Sequence, residues 1–255
     1  MPEDLKDTPE RSAPASSPPG ASIPPIEEAA GGTGAEPEAT QSPRGFFREY
    51  GRIVIYALFI ALVLKVFFIE AFGIPTPSMR ETLLVGDYLF VNKFVYGLRS
   101  PRAIPLTGIR IPHMQLLPGF SSPQRGDIVV FEFPEDRDKS FWQRRDFIKR
   151  VIGLPGDTVE VREKKVFVNG QLLVIPEAVY KDGTVLPGGR DNMPAVKVPA
   201  GHYFMMGDNR DRSYDSRFWG FVSNAEIKGL AFIKYWSVDN EHFQPRWGRI
   251  GRLID

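Results

Sequence analysis

The sequence predicts a mainly β, antiparallel domain carried behind one membrane-spanning helix and a disordered tail. Three observations predict it. A single apolar run, IVIYALFIALVLKVFFI (53–69), carries one charge, Lys65. Beyond it, short segments rich in Val, Ile, Phe and Tyr recur between prolines and Gly-Asp pairs, the signature of successive strands. Between VFV and QLL stands Asn169-Gly170, a strong signal for a two-residue hairpin. No long helical pattern follows the apolar run; SNAEIKG (223–229) makes one turn or two. The 255 residues suit one domain of ordinary size plus extras, or two small domains.

Taken in order, residues 1–49 read as an acidic cytoplasmic tail ending in a basic flank. The first 43 hold nine of the 23 prolines, no aromatic residue and a net charge of −6. Such a composition cannot bury enough apolar surface to offset its ordering entropy. Arg44, Arg48 and Arg52 follow. Residues 50–74 read as the anchor. As a helix they would run about 37 Å, enough for a hydrocarbon core of about 30 Å. Apolar side chains occur all round that helix rather than along one stripe. Lys65 and Glu70 fall near its end, where long side chains reach the interface. Ala71-Phe72-Gly73 has the small-residue spacing of a cleavable signal, but the long acidic region ahead and Lys65 argue for an uncleaved anchor. Arginines on the N-terminal side put that end in the cytoplasm and residues 75–255 outside.

In the exported part, strands are expected in 87–97, 126–134, 146–153, 157–173, 195–199, 202–207 and 229–238. Residues 98–124 are Pro-rich and without period, and read as a long loop insertion.

Composition excludes several functions. A net charge of +1 does not indicate a nucleic-acid binder. The chain has no cysteine, hence no disulfide, thiolate metal site or cysteine nucleophile. Three histidines, His113, His202 and His242, without an HExxH pattern argue against a histidine metal site. No metal or cofactor is expected.

Three segments carry candidate chemistry. In Ile74-Pro75-Thr76-Pro77-Ser78-Met79, two prolines hold the backbone before Ser78 stiffly. An exposed hydroxyl on a rigid turn suits a nucleophile. Ser78 with Glu81 also reads as a capping box, which is the favoured reading on local sequence alone. In Asp146–Ile152, strand alternation puts Phe147, Lys149 and Val151 on one face. A lysine buried there has a lowered pKa and can serve as a general base; a lysine reaching out at a strand edge is the plainer reading. Arg150, on the other face, reads as an ion-pair partner. The third segment, Gly207-Asp208-Asn209-Arg210-Asp211-Arg212-Ser213-Tyr214-Asp215-Ser216-Arg217, ends in an apolar return. It is either a solvated loop or a hydrogen-bonded network around a site.

Together, IPTPSM, LLVGDYLFVNKFVYG, RGDIVVF, FIKRVIGLPGD, VFVNG and GDNRDRSYDSRFWG, in this order after an anchor, resemble the bacterial type I signal peptidases, the Ser–Lys leader peptidases of the inner membrane. The resemblance spans most of 60–238. It implies Ser78 as nucleophile and Lys149 as general base, then general acid, a known variant of the nucleophile–base pair. It implies an oxyanion hole from the Ser78 N–H and the Thr76 hydroxyl, each donor worth about 10²–10³ in rate. By the same resemblance Ser213 orients Lys149, Asp215 supports that network by pairing with Arg217, Asp208 pairs with Arg150, and Ile74 and Ile148 line the pocket walls. Pro77 stands where many relatives have glycine. The span between VFVNG and GHYFMMG is short beside relatives with a large β insertion.

The implied substrates are secretory preproteins with small residues at −1 and −3, of the Ala-x-Ala kind, bound extended at a strand edge. The other implied partner is the lipid bilayer. Phe67–Phe72 and the face near Ser78 are expected to meet lipid. Two alternatives stay open: a specialised Ser–Lys peptidase of a secretion, pilus or conjugation system, and a non-catalytic tethered scaffold.

Overall fold

The computed structural model describes residues 43–98, 100 and 114–254. The expected disordered tail before Pro43 and the 99 and 101–113 part of the long insertion, His113 included, lie outside them.

The apolar run forms helix α1, Pro43–Phe67. Its stretch Tyr50–Phe67 has a mean hydropathy of 2.0 and none of it is buried against the protein. The helix stops seven residues short of the expected boundary. Residues Ile69–Gly73 instead form an edge strand, β1, antiparallel to β2, Asp87–Asn92, in register from Ile69–Asn92 to Gly73–Tyr88. The reason is local. Lys93 Nζ donates to the Val66 carbonyl at 2.9 Å, which satisfies one of the helix's terminal acceptors. The same amine lies 3.3 Å from Glu70. Pro75 and Pro77 then break the pairing, since neither has an N–H to donate.

The strands that follow are β3 (Ile128–Glu132), β4 (Asp146–Gly153), β5 (Thr158–Arg162), β6 (Lys165–Val168), β7 (Gln171–Leu172), β8 (Met193–Lys197), β9 (His202–Met206), β10 (Val222–Ser223), β11 (Ile227–Asp239) and β12 (Gln244–Pro245). They make two antiparallel sheets. The larger runs β1-β2-β11-β3-β4-β9-β10, with β12 on β11; the smaller runs β7-β6-β5-β8. Every residue of β3 is buried, so both faces of the large sheet are covered at its centre. Bulges within β11 shift its register twice along β2, and the local bending they bring lets one strand serve both β2 and β3. Asn169 and Gly170 both have positive φ, 53° and 79°, the left-handed pair that a tight β6–β7 hairpin requires.

Three elements went beyond the sequence pattern. β10 and β12 have two residues each, too short for alternation to register. Helix α2, Ser216–Trp219, is one turn capped by Asp215, whose carboxylate accepts from the Arg217 N–H. Ser223–Glu226 is the one N-terminus among the described residues with a complete capping box, and it opens a 3-10 turn at Asn224–Glu226.

Candidate active site

Three segments meet behind β4. The first is the turn after β1. Thr76 is extended, at φ −128° and ψ 152°, exposed, and makes no side-chain cap bond. Pro77 opens a single 3-10 turn, Pro77–Met79, where a missing N–H costs nothing. Ser78 lies inside that turn and is buried, so it is not the N-cap that its spacing to Glu81 suggested. Glu81 is itself at a positive φ of 73° and exposed. Asn209 clamps the turn twice, its N–H on the Ser78 carbonyl and its Nδ2 on the Pro77 carbonyl, both at 3.1 Å.

The second segment is β4. Lys149 is 4% exposed, and its Nζ donates to Ser78 Oγ at 2.7 Å and to the Ile148 carbonyl at 3.0 Å. The ring of Phe147 lies 5.4 Å from the amine. Among the described residues no carboxylate pairs with Lys149 directly. Burial lowers its pKa from 10.5 to about 8, against the smaller opposing pull of Asp215 and Asp208. Ile74 is buried, and Ile148 packs on the same apolar cluster, with Met79 and Leu83.

The third segment runs from β9 into α2. Gly207 is forced to be glycine: a Cβ there would sit 2.3 Å from Ser213 Oγ and 2.4 Å from the Ser78 carbonyl. Asp208 makes a two-pronged pair with Arg150, Oδ1 with Nε and Oδ2 with Nη2, both at 2.9 Å, and also accepts from Thr82 Oγ1 at 2.6 Å. Asp215 takes the Arg217 guanidinium at 2.8 and 2.9 Å and the Gly207 N–H at 3.1 Å. Arg217 in turn donates to the carbonyls of Arg190 and Arg210. Ser213 Oγ is buried and has no hydrogen-bond partner among the described residues; in this structure it does not bond Lys149.

Several contributors carry no sequence signal of their own. Asp211 holds the backbone N–H groups of Lys181 and Asp182 and pairs with Lys164 at 2.9 Å. Arg190 pairs with Asp182 and Asp191. Val179 forms a parallel bridge to Asn209. These contacts strap the small sheet and the 177–191 loop to the segment that clamps Ser78. Asn209 stood within the polar motif, yet nothing in its spacing tells a backbone clamp from a solvated amide. Thr82 and Lys164 are ordinary surface types until the fold closes over them.

A buried hydroxyl hydrogen-bonded to a largely unpaired lysine, with exposed backbone and a threonine before it, is equipped for acyl transfer without histidine or metal ligands. Known proteins bear on this directly. Residues 47–236 match the family model described as signal peptidase, peptidase S26. A signal peptidase I of Pseudomonas aeruginosa is 37% identical over 239 residues, covering 80% of this chain and 78% of that one. A probable signal peptidase I-2 of Synechocystis is 36% identical over 213 residues, covering 84% and 80%. A solved signal peptidase I of Enterococcus faecalis is 35% identical, covers 43% of this chain and 97% of that one, and has a TM-score of 0.34.

Proposed function

Because the chain belongs to the signal peptidase family, peptidase S26, we propose that it removes signal peptides from exported preproteins with Ser78 as nucleophile and Lys149 as general base. The observation that carries the assignment is the 2.7 Å contact of Nζ with Oγ in a site that lowers the lysine's pKa to about 8. In the charged state Nζ donates. In the neutral state the same contact runs the other way, and the hydroxyl donates to Nζ.

The neutral amine takes the Ser78 proton as Oγ bonds to the carbonyl carbon of the −1 residue. The oxyanion is held by the Ser78 N–H and the Thr76 hydroxyl, whose extended backbone and exposed position leave it open to substrate. The C–N bond then breaks as the Lys149 ammonium gives its proton to the leaving amine. Lys149 next deprotonates a water, which attacks the acyl-enzyme, releases the signal peptide as an acid and restores the Ser78 hydroxyl. Ser213, buried beside Gly207 and with its Oγ unbonded among the described residues, is the group available to orient Lys149 during these steps. Asp215 and Arg217 fix its loop, and Asp208 with Arg150 fixes β4 against it.

Ile74 and Ile148 present branched apolar walls beside the dyad, which favour small side chains at −1 and −3. Helix α1 serves as a single anchor in the bacterial inner membrane, with Arg44, Arg48 and Arg52 on the cytoplasmic side and the peptidase domain outside.

The test is cleavage of a preprotein with an Ala-x-Ala site by the purified full chain in detergent, read as the mass of the mature product. The expected cut follows the −1 alanine and disappears when that alanine becomes phenylalanine. A specialised peptidase would leave this preprotein intact while Ser78 is still acylated by a penem. A scaffold would leave it intact with Ser78 unacylated.

A further inference from the structure

The long insertion has no part in the mechanism above, yet its described arm is unlike the rest of the surface. Met114, Gln115, Leu116, Leu117, Pro118, Gly119 and Phe120 are seven successive exposed residues without a charge. Leu116 and Leu117 are about half exposed and Phe120 is 81% exposed. Single exposed leucines are ordinary; a contiguous apolar run marks a contact surface.

The arm is built, not loose. Ser100 and Leu98 pair with it through four bonds: Ser100 N–H to the Met114 carbonyl, Met114 N–H to Ser100 Oγ, and the Leu116 and Leu117 N–H groups to the Leu98 carbonyl. Two glycines cross at its base. A Cβ on Gly119 would lie 2.6 Å from the Gly97 nitrogen, and one on Gly97 would lie 3.1 Å from the Gly119 nitrogen. Ser121 N–H closes the base on the Val95 carbonyl.

Its position says what it meets. Phe120 packs edge-on against Phe94 at 5.0 Å, and Phe94 lies 5.2 Å from Phe68, the residue directly after α1. Lys93, beside Phe94, caps the Val66 carbonyl at the end of that helix. The arm is thus continuous, through two aromatic contacts, with the point where the unburied apolar helix ends. We propose that residues 114–120 are a second membrane contact, an uncharged arm that enters the outer leaflet beside α1 and so fixes the rotation of the peptidase domain above the bilayer. The proposal rests on the reading of α1 as a membrane span. Backbone groups without a helix or a closed barrel are not tolerated deep in hydrocarbon. The arm therefore lies at the headgroup and upper acyl level, roughly 5–10 Å deep.

The chain's lack of cysteine allows a clean test. Single variants Leu117→Cys, Phe120→Cys, Ile60→Cys and Val185→Cys are labelled with bimane in the full chain. They are reconstituted into vesicles of phosphatidylethanolamine and phosphatidylglycerol holding a lipid spin-labelled near the headgroup. Expected is strong quenching at 117 and 120 and none at 185, which lies on the 177–191 loop. Quenching at 117 and 120 no greater than at 185 overturns the proposal. So does a blue shift there without quenching, which would mean a protein neighbour. Ile60, near the middle of the span, is read with a lipid spin-labelled deep in the acyl chain: an unquenched Ile60 defeats the anchor reading and the proposal with it, whereas a quenched Ile60 with 117 and 120 unquenched overturns the arm alone. In parallel, the variant combining Leu116→Asp, Leu117→Asp and Phe120→Asp should cut a soluble peptide at the wild-type rate. It should cut a membrane-embedded preprotein roughly tenfold more slowly, about the effect of losing one side chain's burial. Equal rates on both substrates also overturn the proposal.

Discussion

Lys149 and Arg150 are neighbours on β4, equally buried at 4% and 3% exposure, and point to opposite faces of the sheet. On one face the guanidinium meets the Asp208 carboxylate in two parallel bonds, with Gly126 taking a third donor. On the other face the amine meets a neutral hydroxyl, a carbonyl and a phenylalanine ring. Both cations are removed from water; only one is given a counter-ion in contact. Without a carboxylate in contact, burial lowers the pKa of Lys149, and a lysine near neutrality can exchange protons. Asp208 and Asp215 stay close enough to act on Lys149 through space, but each is committed to an arginine. One strand thus holds a cation paired with a carboxylate and a cation without one, the second being the proposed general base, and the placement of two carboxylates separates them.

The largest test removes the chemical face. Lys149→Ala should keep the fold and lower cleavage roughly 10²–10⁴-fold, the range for a lost general base. Retention of the wild-type rate would assign the base elsewhere. The pH profile sharpens the same point. In the proposed mechanism neutral Lys149 is the active form, so kcat/KM should rise through a pKa of about 8 and flatten above it. Stability carries the opposite mark of burial. Between about 8 and 10.5 the unfolded chain binds the proton that the folded chain has lost, so Lys149 makes the fold more stable as pH rises through that window. Lys149→Met should erase that slope in a pH series of melting temperatures. A slope unchanged in the variant would show that another group titrates there.

Removing the structural face should cost stability before chemistry. Arg150→Met leaves Asp208 buried without its cation and should destabilise the domain by about 3–5 kcal/mol. Adding Asp208→Leu should recover most of that loss, less about 1 kcal/mol for the Thr82 hydroxyl left without its acceptor. If the double variant melts no higher than Arg150→Met alone, the pair is not the origin of the cost.

The two faces also differ in how far the sequence reveals them. Alternation put Lys149 with Phe147 and Val151 on one face, because a strand's period is short and local, but on sequence alone an amine reaching out at a strand edge was the plainer reading. The strand segments and the Asn169-Gly170 hairpin were legible for the same reason. Partners were not. Ser78 and Lys149 are 71 residues apart, and Arg150 and Asp208 are 58 apart. Such pairs emerged from the sequence only through resemblance to a known family. The pairing of Lys164 with Asp211 lacked even that, although Asp211 stands inside the polar motif. Errors came where two local rules competed: the apolar run continued past Phe67, but pairing with β2 turned its last residues into β1.

The smallest test concerns one such conflict, in the turn that brings Ser78 to Lys149. The spacing Ser78 to Glu81 satisfies the capping-box pattern, and under that reading Glu81 is needed. In the structure Glu81 is exposed, holds a left-handed φ of 73° and, among the described residues, is ion-paired with the exposed Arg80 at 3.6 Å, a pair worth little in water. A non-glycine residue pays about 1–2 kcal/mol to sit in that region. Glycine removes the strain but loses about 0.5–1 kcal/mol of chain entropy. Glu81→Gly should therefore be neutral or stabilising by up to about 1 kcal/mol, whereas loss of a true cap would destabilise by a similar amount. The sign of the change in melting temperature decides between them. With cleavage unchanged, it would show that the Ser78 turn is held by Asn209 and the prolines rather than by a helix cap.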